Sequence, residues 1–305
     1  MALADARHLR LLYRGDLSSC NYGCRYCPFA KRTMSREEHA RDASQLSRFV
    51  TWVETRDFDV SVLFTPWGEA LARRRYQDAL VRLSHARHVR RVAVQTNLSG
   101  RLDWLARADR SRVALWATYH PTQTTRALFL ARCRTLSEAG VRYSVGMVGV
   151  RSAIDEVEAL RAELPPGVYL WVNALQGGAG YYAEEDVRRL SRVDPLFELN
   201  TRRYRTRGVA CAAGETVVSV DGDGTVRRCH FIERPIGNLY DEDFLRVLVP
   251  RPCSRATCSC HIGYAHVEAL GVGEAFGEGV LERVAPPELL TDRAALGALL
   301  ERAAA

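Results

Sequence analysis

The sequence predicts an α/β fold, a partial (β/α)6 TIM-like barrel followed by a small cysteine-rich β-hairpin module, and three observations predict it. From residue 9 to about 200, short apolar runs alternate with longer stretches of helical period, the pattern of repeated β-α units around a parallel sheet. Beyond residue 200 comes ETVVSVDGDGTVRRC, two β-rich runs joined at Asp221-Gly222-Asp223-Gly224, where glycine supplies the positive φ of a tight turn. The cysteines crowd into two places, Cys20, Cys24 and Cys27 near the start and Cys211, Cys229, Cys253, Cys258 and Cys260 near the end.

Strands are expected over 9–13, 59–64, 91–95, 112–117, 141–148 and 168–172, with helices over 35–55, 71–87, 101–108, 123–139, 152–163 and 184–193. Gly140 and Pro165-Pro166-Gly167 act as stop signals. Six units are too few for an eight-fold barrel and give an open one, whose site lies at the carboxyl ends of its strands. The first cysteine group follows strand one at that end. The division is therefore residues 1–200 for the barrel, 201–268 for the cysteine module and 269–305 for a helical tail packed on the barrel. The module is low in apolar residues, so metal is expected to organise it.

At 305 residues, 47% hydrophobic and 26% charged, the chain is neither disordered nor a coiled coil. It has no apolar run of membrane-spanning length, and MALADARHLR lacks the apolar stretch of a signal peptide, so a cytoplasmic location and no membrane partner are expected. The net charge of +7 does not point to nucleic acid: Lys31 is the only lysine among 43 basic residues, and no basic stripe alternates with aromatics. Clustered cysteines in a cytosolic chain indicate metal or redox chemistry before disulfides. Cys133, alone in TRALFLARCRTLSEAG, reads as a buried inert thiol.

LSSCNYGCRYCPFAK spaces three thiols as Cys-x3-Cys-x2-Cys, with Gly23 for tight turning and Pro28 beyond. Three thiolates ligate three corners of an iron-sulfur cubane and leave one iron without a protein ligand, which is what chemistry at a cluster needs. Zinc is the competing reading, but structural zinc closes four ligands and no fourth is close by.

This segment resembles the hallmark of the radical S-adenosylmethionine (SAM) superfamily. The resemblance implies a site-differentiated [4Fe-4S] cluster on Cys20, Cys24 and Cys27, with SAM on the fourth iron. Cleavage of SAM to a 5'-deoxyadenosyl radical and abstraction of hydrogen from substrate would follow. It places Tyr26 near the adenine. It makes Pro66-Trp67-Gly68-Glu69 the counterpart of a Gly-Gly-Glu segment, with Gly68 at the cofactor and Glu69 accepting from the methionine ammonium. A Glu that merely opens a helix is the other reading of Glu69. Asn97 would reach the SAM ribose or carboxylate, or else cap a turn. Thr118, Tyr119 and His120 point to the same mouth, His120 either as a proton donor or as a loop histidine. Strand five departs from the family pattern, since the expected segment is only Val145-Gly146-Met147-Val148-Gly149. Asn173 ends strand six as a further cofactor contact.

Cys211-x12-Gly224-x4-Cys229 resembles the opening of SPASM and twitch extensions. A complete SPASM domain has a larger cysteine set than the five here, so one auxiliary [4Fe-4S] cluster is implied, on four of Cys211, Cys229, Cys253, Cys258 and Cys260. A closed zinc site is the alternative there, and His230 and His261 are neighbours of the ligands. The expected function is an oxidoreductase-type radical SAM enzyme acting on a peptide or protein side chain, with a flavodoxin- or ferredoxin-type electron donor. The alternatives are the same chemistry on a small molecule and a non-catalytic iron-sulfur or zinc protein.

Overall fold

The computed structural model describes residues 8–29, 32–175 and 180–304. The strands β1 (Leu9–Tyr13), β2 (Val60–Phe64), β3 (Val89–Thr96), β4 (Val113–Tyr119), β5 (Arg142–Gly149) and β6 (Leu170–Ala174) pair in parallel, each with the next in the chain. Between them lie α1 (Arg36–Glu54), α2 (Arg74–Ser84), a 3-10 turn at Asp103–Arg107, α3 (Arg126–Glu138) and α4 (Ile154–Glu163). Then come α5 (Glu184–Val193), α6 (Phe197–Thr201), β7 (Tyr204–Arg205), β8 (Val217–Val220), β9 (Thr225–Arg227), β10 (Pro235–Asn238) and β11 (Thr257–Cys258). The chain ends with α7 (His261–Tyr264), α8 (Val272–Phe276), α9 (Pro287–Thr291) and α10 (Arg293–Ala304).

The expected β-α alternation is the one found, with two local differences. Helix 71–87 is shorter because Arg73 is extended, at φ −120° and ψ 117°, and separates α2 from a 3-10 turn over Ala70–Ala72. The 101–108 helix is the tighter 3-10 turn named above. The sheet runs β10-β9-β8-β1-β2-β3-β4-β5-β6 and is open. Its β8 pairs in parallel with β1, from Arg10↔Val217 to Tyr13↔Val220, so the hairpin of the cysteine module continues the barrel sheet. Among the described residues no helix is long and apolar enough to cross a membrane.

Strand alternation divides the apolar residues into two layers. Leu11, Tyr13, Val62, Phe64, Val94, Leu115, Val145 and Val172 face outward and pack in one core with Phe49, Leu80, Phe129 and Leu160 of the helices. Leu12, Leu63, Ala93, Trp116 and Trp171 face inward and belong to a second core. Tyr264, Phe276, Val280 and Leu281 from the far end of the chain complete that second core. The segment beyond 268 is thus more than a tail on the barrel surface. It covers the concave face: Ser144 Oγ donates to the Glu282 carbonyl over 2.7 Å, and the Arg283 guanidinium lies 4.4 Å from the Trp171 ring centroid and 5.6 Å from that of Trp116. Gly146 on β5 is part of this arrangement, because a Cβ there would overlap the Trp171 indole. Cys133 is buried in α3 and its thiol is pushed up to about 12 by burial, which suits an inert core residue.

Glu282 is buried under the sheet beside Arg91, at 3.6 Å, and burial raises its pKa from 4.5 to about 7. The folded state then holds a proton there that the unfolded state releases, so stability is full below pH 4.5 and falls as pH rises to about 7. Glu282→Gln is expected to flatten the thermal-midpoint profile across that window, measured by circular dichroism; a profile identical to wild type contradicts this.

Candidate active site

The three cysteines of the first group sit on the loop that leaves the carboxyl end of β1, Cys24 buried and Cys20 and Cys27 half-buried. The Cys27 amide donates to the Cys24 carbonyl over 3.2 Å, which turns the chain back on itself. Burial raises the Cys20 and Cys24 thiols; Cys20 also feels the charge of Cys27, and Cys24 feels those of Cys27 and Cys20. Among the described residues no three His, Cys, Asp or Glu side chains are gathered to share a single metal ion. A cubane takes each thiolate on a separate iron, so its ligands do not need to meet at one point. Three neighbouring sulfurs and no fourth protein ligand on this loop fit such a cluster with an open corner.

The loop is clasped by the ends of the next two strands. Gly68 N donates to the Leu17 carbonyl over 2.9 Å and Glu69 N to the Ser19 carbonyl over 3.2 Å. The α-carbon of Gly68 lies so close to the Ser19 backbone that any Cβ would overlap it. Glu69 is buried: Oε1 accepts from Thr96 Oγ1 at 2.6 Å and from Leu71 N at 3.0 Å, and Oε2 accepts from Asn97 N at 2.7 Å. A carboxylate has about four lone-pair sites, so one is left for an ammonium. Burial raises the Glu69 pKa, and the three hydrogen bonds oppose that shift. Asn97 Nδ2 reaches Asn21 Oδ1 at 3.1 Å and Cys20 Sγ at 3.7 Å, while its Oδ1 accepts from Ser99. Sequence reasoning names Gly68, Glu69 and Asn97 as cofactor contacts; their visible work is to fix the cysteine loop.

Across the loop, Gly23 N donates to Gln123 Oε1 at 2.9 Å. Tyr26 Oη lies 2.8 Å from His120 Nδ1 with the two rings stacked 5.9 Å apart. Burial lowers the His120 pKa to about 4, so it is a neutral partner to the tyrosine at physiological pH. The barrel mouth is rimmed by the inward residues nearest the strand ends, Arg14, Thr65, Gln95, Thr118, Val148 and Asn173. Thr118 is buried and Asn173 exposed. Sequence reasoning missed Arg14 and Gln95, although their positions two residues after Leu12 and Ala93 place them on the inner face.

In the second group, Cys211 bridges to Val267, Cys258 stands opposite Tyr204 between β11 and β7, and the Cys253 amide and carbonyl bond Val209 and Gly208. Cys211 and Cys229 each feel the charge of Cys253, and Cys258 feels first that of Cys260 and then those of Cys229 and Cys211. Cys260 is in addition influenced by Arg283 and Arg14.

No family model matches the chain, and no curated protein matches it. Solved structures do. The native form of anSMEcpe with bound AdoMet and the Cp18Cys peptide aligns over 97% of this chain and 95% of that chain, with a TM-score of 0.55 and 13% identity. SuiB of Streptococcus suis aligns over 94% of this chain and 75% of that chain, with a TM-score of 0.53 and 14% identity. The hexahistidine-tagged form of anSMEcpe with bound AdoMet aligns over 90% and 84%, with a TM-score of 0.54 and 14% identity. The likeness establishes the fold, an open, mostly parallel α/β barrel of the kind expected from the radical SAM resemblance.

Because the Gly68 contact is backbone on backbone, Gly68→Ala must push the cysteine loop away from the strand ends. The expected cost is about 1–3 kcal/mol of stability in urea unfolding. An unchanged midpoint contradicts the tight clasp.

Proposed function

We propose that this chain is a radical SAM enzyme that cleaves SAM reductively and abstracts hydrogen from a substrate, a peptide or protein side chain. The observation that carries the reading is the Cys20, Cys24 and Cys27 loop at the carboxyl end of β1, clasped by Gly68, Glu69 and Asn97, in a fold shared with AdoMet-bound anSMEcpe. The peptide class is supported by the Cp18Cys peptide bound to that relative in fold.

The three thiolates would hold a [4Fe-4S] cluster, which when reduced supplies the electron that cleaves SAM to methionine and a 5'-deoxyadenosyl radical. Glu69 offers its remaining lone pair to the methionine ammonium, and its three hydrogen bonds orient it for that contact. Tyr26 presents its ring beside the loop and is locked by His120, which suits packing on the adenine. Thr118 and Asn173 offer polar side chains at the mouth. Inside the barrel, the Trp116 and Trp171 layer closes the floor and keeps bulk water from the radical.

Cys211 and Cys229, which are linked electrostatically to the rest of the group, would hold the auxiliary cluster together with two of Cys253, Cys258 and Cys260. A flavodoxin- or ferredoxin-type protein would deliver the electron.

The test is anaerobic reconstitution, iron analysis, and chromatography for 5'-deoxyadenosine after adding dithionite and SAM. Wild type is expected to produce it and Cys24→Ala to produce none. Cys229→Ala is expected to lose about four irons per chain, one cubane, and retain the first cluster. No 5'-deoxyadenosine from iron-loaded wild type overturns the reading, and unchanged iron in Cys229→Ala overturns the auxiliary assignment.

A further inference from the structure

The mouth of the barrel contains an arginine that has no carboxylate partner among the described residues. Arg14 closes the inner face of β1, and its Nη1 donates to the Thr65 carbonyl at 3.0 Å while the guanidinium stacks on the Trp67 ring at 4.0 Å. These contacts fix the plane of the group and use one of its five N–H donors. Among the described residues no carboxylate pairs with it, the rim positions Thr65, Gln95, Thr118, Val148 and Asn173 carry no acid, and the one acidic group whose charge it feels is the Cys260 thiol. The charge is kept even so, since burial lowers its pKa only to about 10. A half-buried, oriented cation without a carboxylate partner gains from a ligand that completes it.

Two further polar groups belong to its surroundings. Thr65 Oγ1 donates to Gln95 Oε1 at 2.8 Å, which directs that amide and leaves its NH2 without a partner among the described residues. On β8, beside β1, Ser219 Oγ lies 2.5 Å from His230 Nδ1, and the buried Nε2 of His230 has no hydrogen-bond partner. The charge of Arg14 reaches this ring.

We propose that Arg14 anchors a carboxylate on the substrate, assisted by Gln95, so that the enzyme takes a molecule carrying a free carboxylate close to the reacting carbon. This names the substrate class and rests on the reading of the site as a SAM-dependent one. A carboxylate fits better than a phosphate because one guanidinium balances one negative charge, and the edge left free by Thr65 matches a planar, two-oxygen acceptor. In a peptide the carboxylate comes from an acidic side chain or from the C-terminus.

Isothermal titration of the reconstituted holoprotein, without reductant, distinguishes these sources. The probes are N-acetylglutamate α-amide, which has only the side-chain carboxylate, N-acetylglutamine, which has only the terminal one, and N-acetylglutamine α-amide, which is neutral. One of the charged probes is expected to bind at least about tenfold more tightly than the neutral one, a difference of about 1.4 kcal/mol. Arg14→Gln is expected to erase the difference. Arg14→Lys keeps the charge and loses the flat fork, and is expected to weaken the preferred probe about tenfold while leaving thermal stability close to wild type. Equal binding of all three probes, or an Arg14→Lys affinity within twofold of wild type, overturns the proposal. Binding needs no turnover: wild type that makes no 5'-deoxyadenosine yet shows the Arg14-dependent preference loses the enzymatic reading and keeps the anion site, and the reverse result does the opposite.

Discussion

The buried carboxylate of Glu69 is the interaction on which the site depends. Through Thr96, Leu71 and Asn97 it joins the ends of β2 and β3, and the neighbouring Gly68 lays its backbone against Ser19, one residue before the first cysteine. A loop of fifteen or more residues without its own helix or strand would otherwise be free to wander. Here its start is held by backbone hydrogen bonds and its middle by Gln123, so the thiols are presented at a fixed place above the sheet. An acid that has lost water depends on these three donors, and loss of any one of them leaves a buried charge short of a partner.

The two-layer sheet explains how so small a barrel presents a polar mouth. The outer layer packs on helices in the usual way, whereas the inner layer is covered by α6, by Tyr204, Cys211 and Cys229 of the cysteine module, and by the short helices from 261 onward. That cover holds Arg283 between two tryptophans and Glu282 next to Arg91, ionic groups buried beneath the site. The extension carrying the second cysteines also shares the sheet, because β8 lies beside β1.

The six strands were legible because strand alternation is local and the stop signals at Gly140 and Pro165-Pro166-Gly167 are strong. The clustering of Cys20, Cys24 and Cys27 after β1 was legible for the same reason, being written in adjacent residues. The position of Glu69 was legible and its engagement was not, since its partners Thr96 and Asn97 come from the next strand end. The inner cover was not legible either: residues 261–283 have no sustained period, and their apolar side chains match the concave face only once the sheet has curved. Arg14 lies one residue beyond β1, and alternation with Leu12 turns it inward, but the Trp67 ring and Thr65 carbonyl that fix it come from the next strand end.

The central claim is a cubane on three thiolates with a vacant iron corner that SAM can occupy. Electron paramagnetic resonance of the reconstituted, dithionite-reduced Cys229→Ala protein tests it directly, since this variant leaves the first cluster to be observed alone. A [4Fe-4S] signal whose g-values move when SAM is added is the expected result. A signal indifferent to SAM, or a purified protein that holds zinc at Cys20, Cys24 and Cys27, would contradict the account.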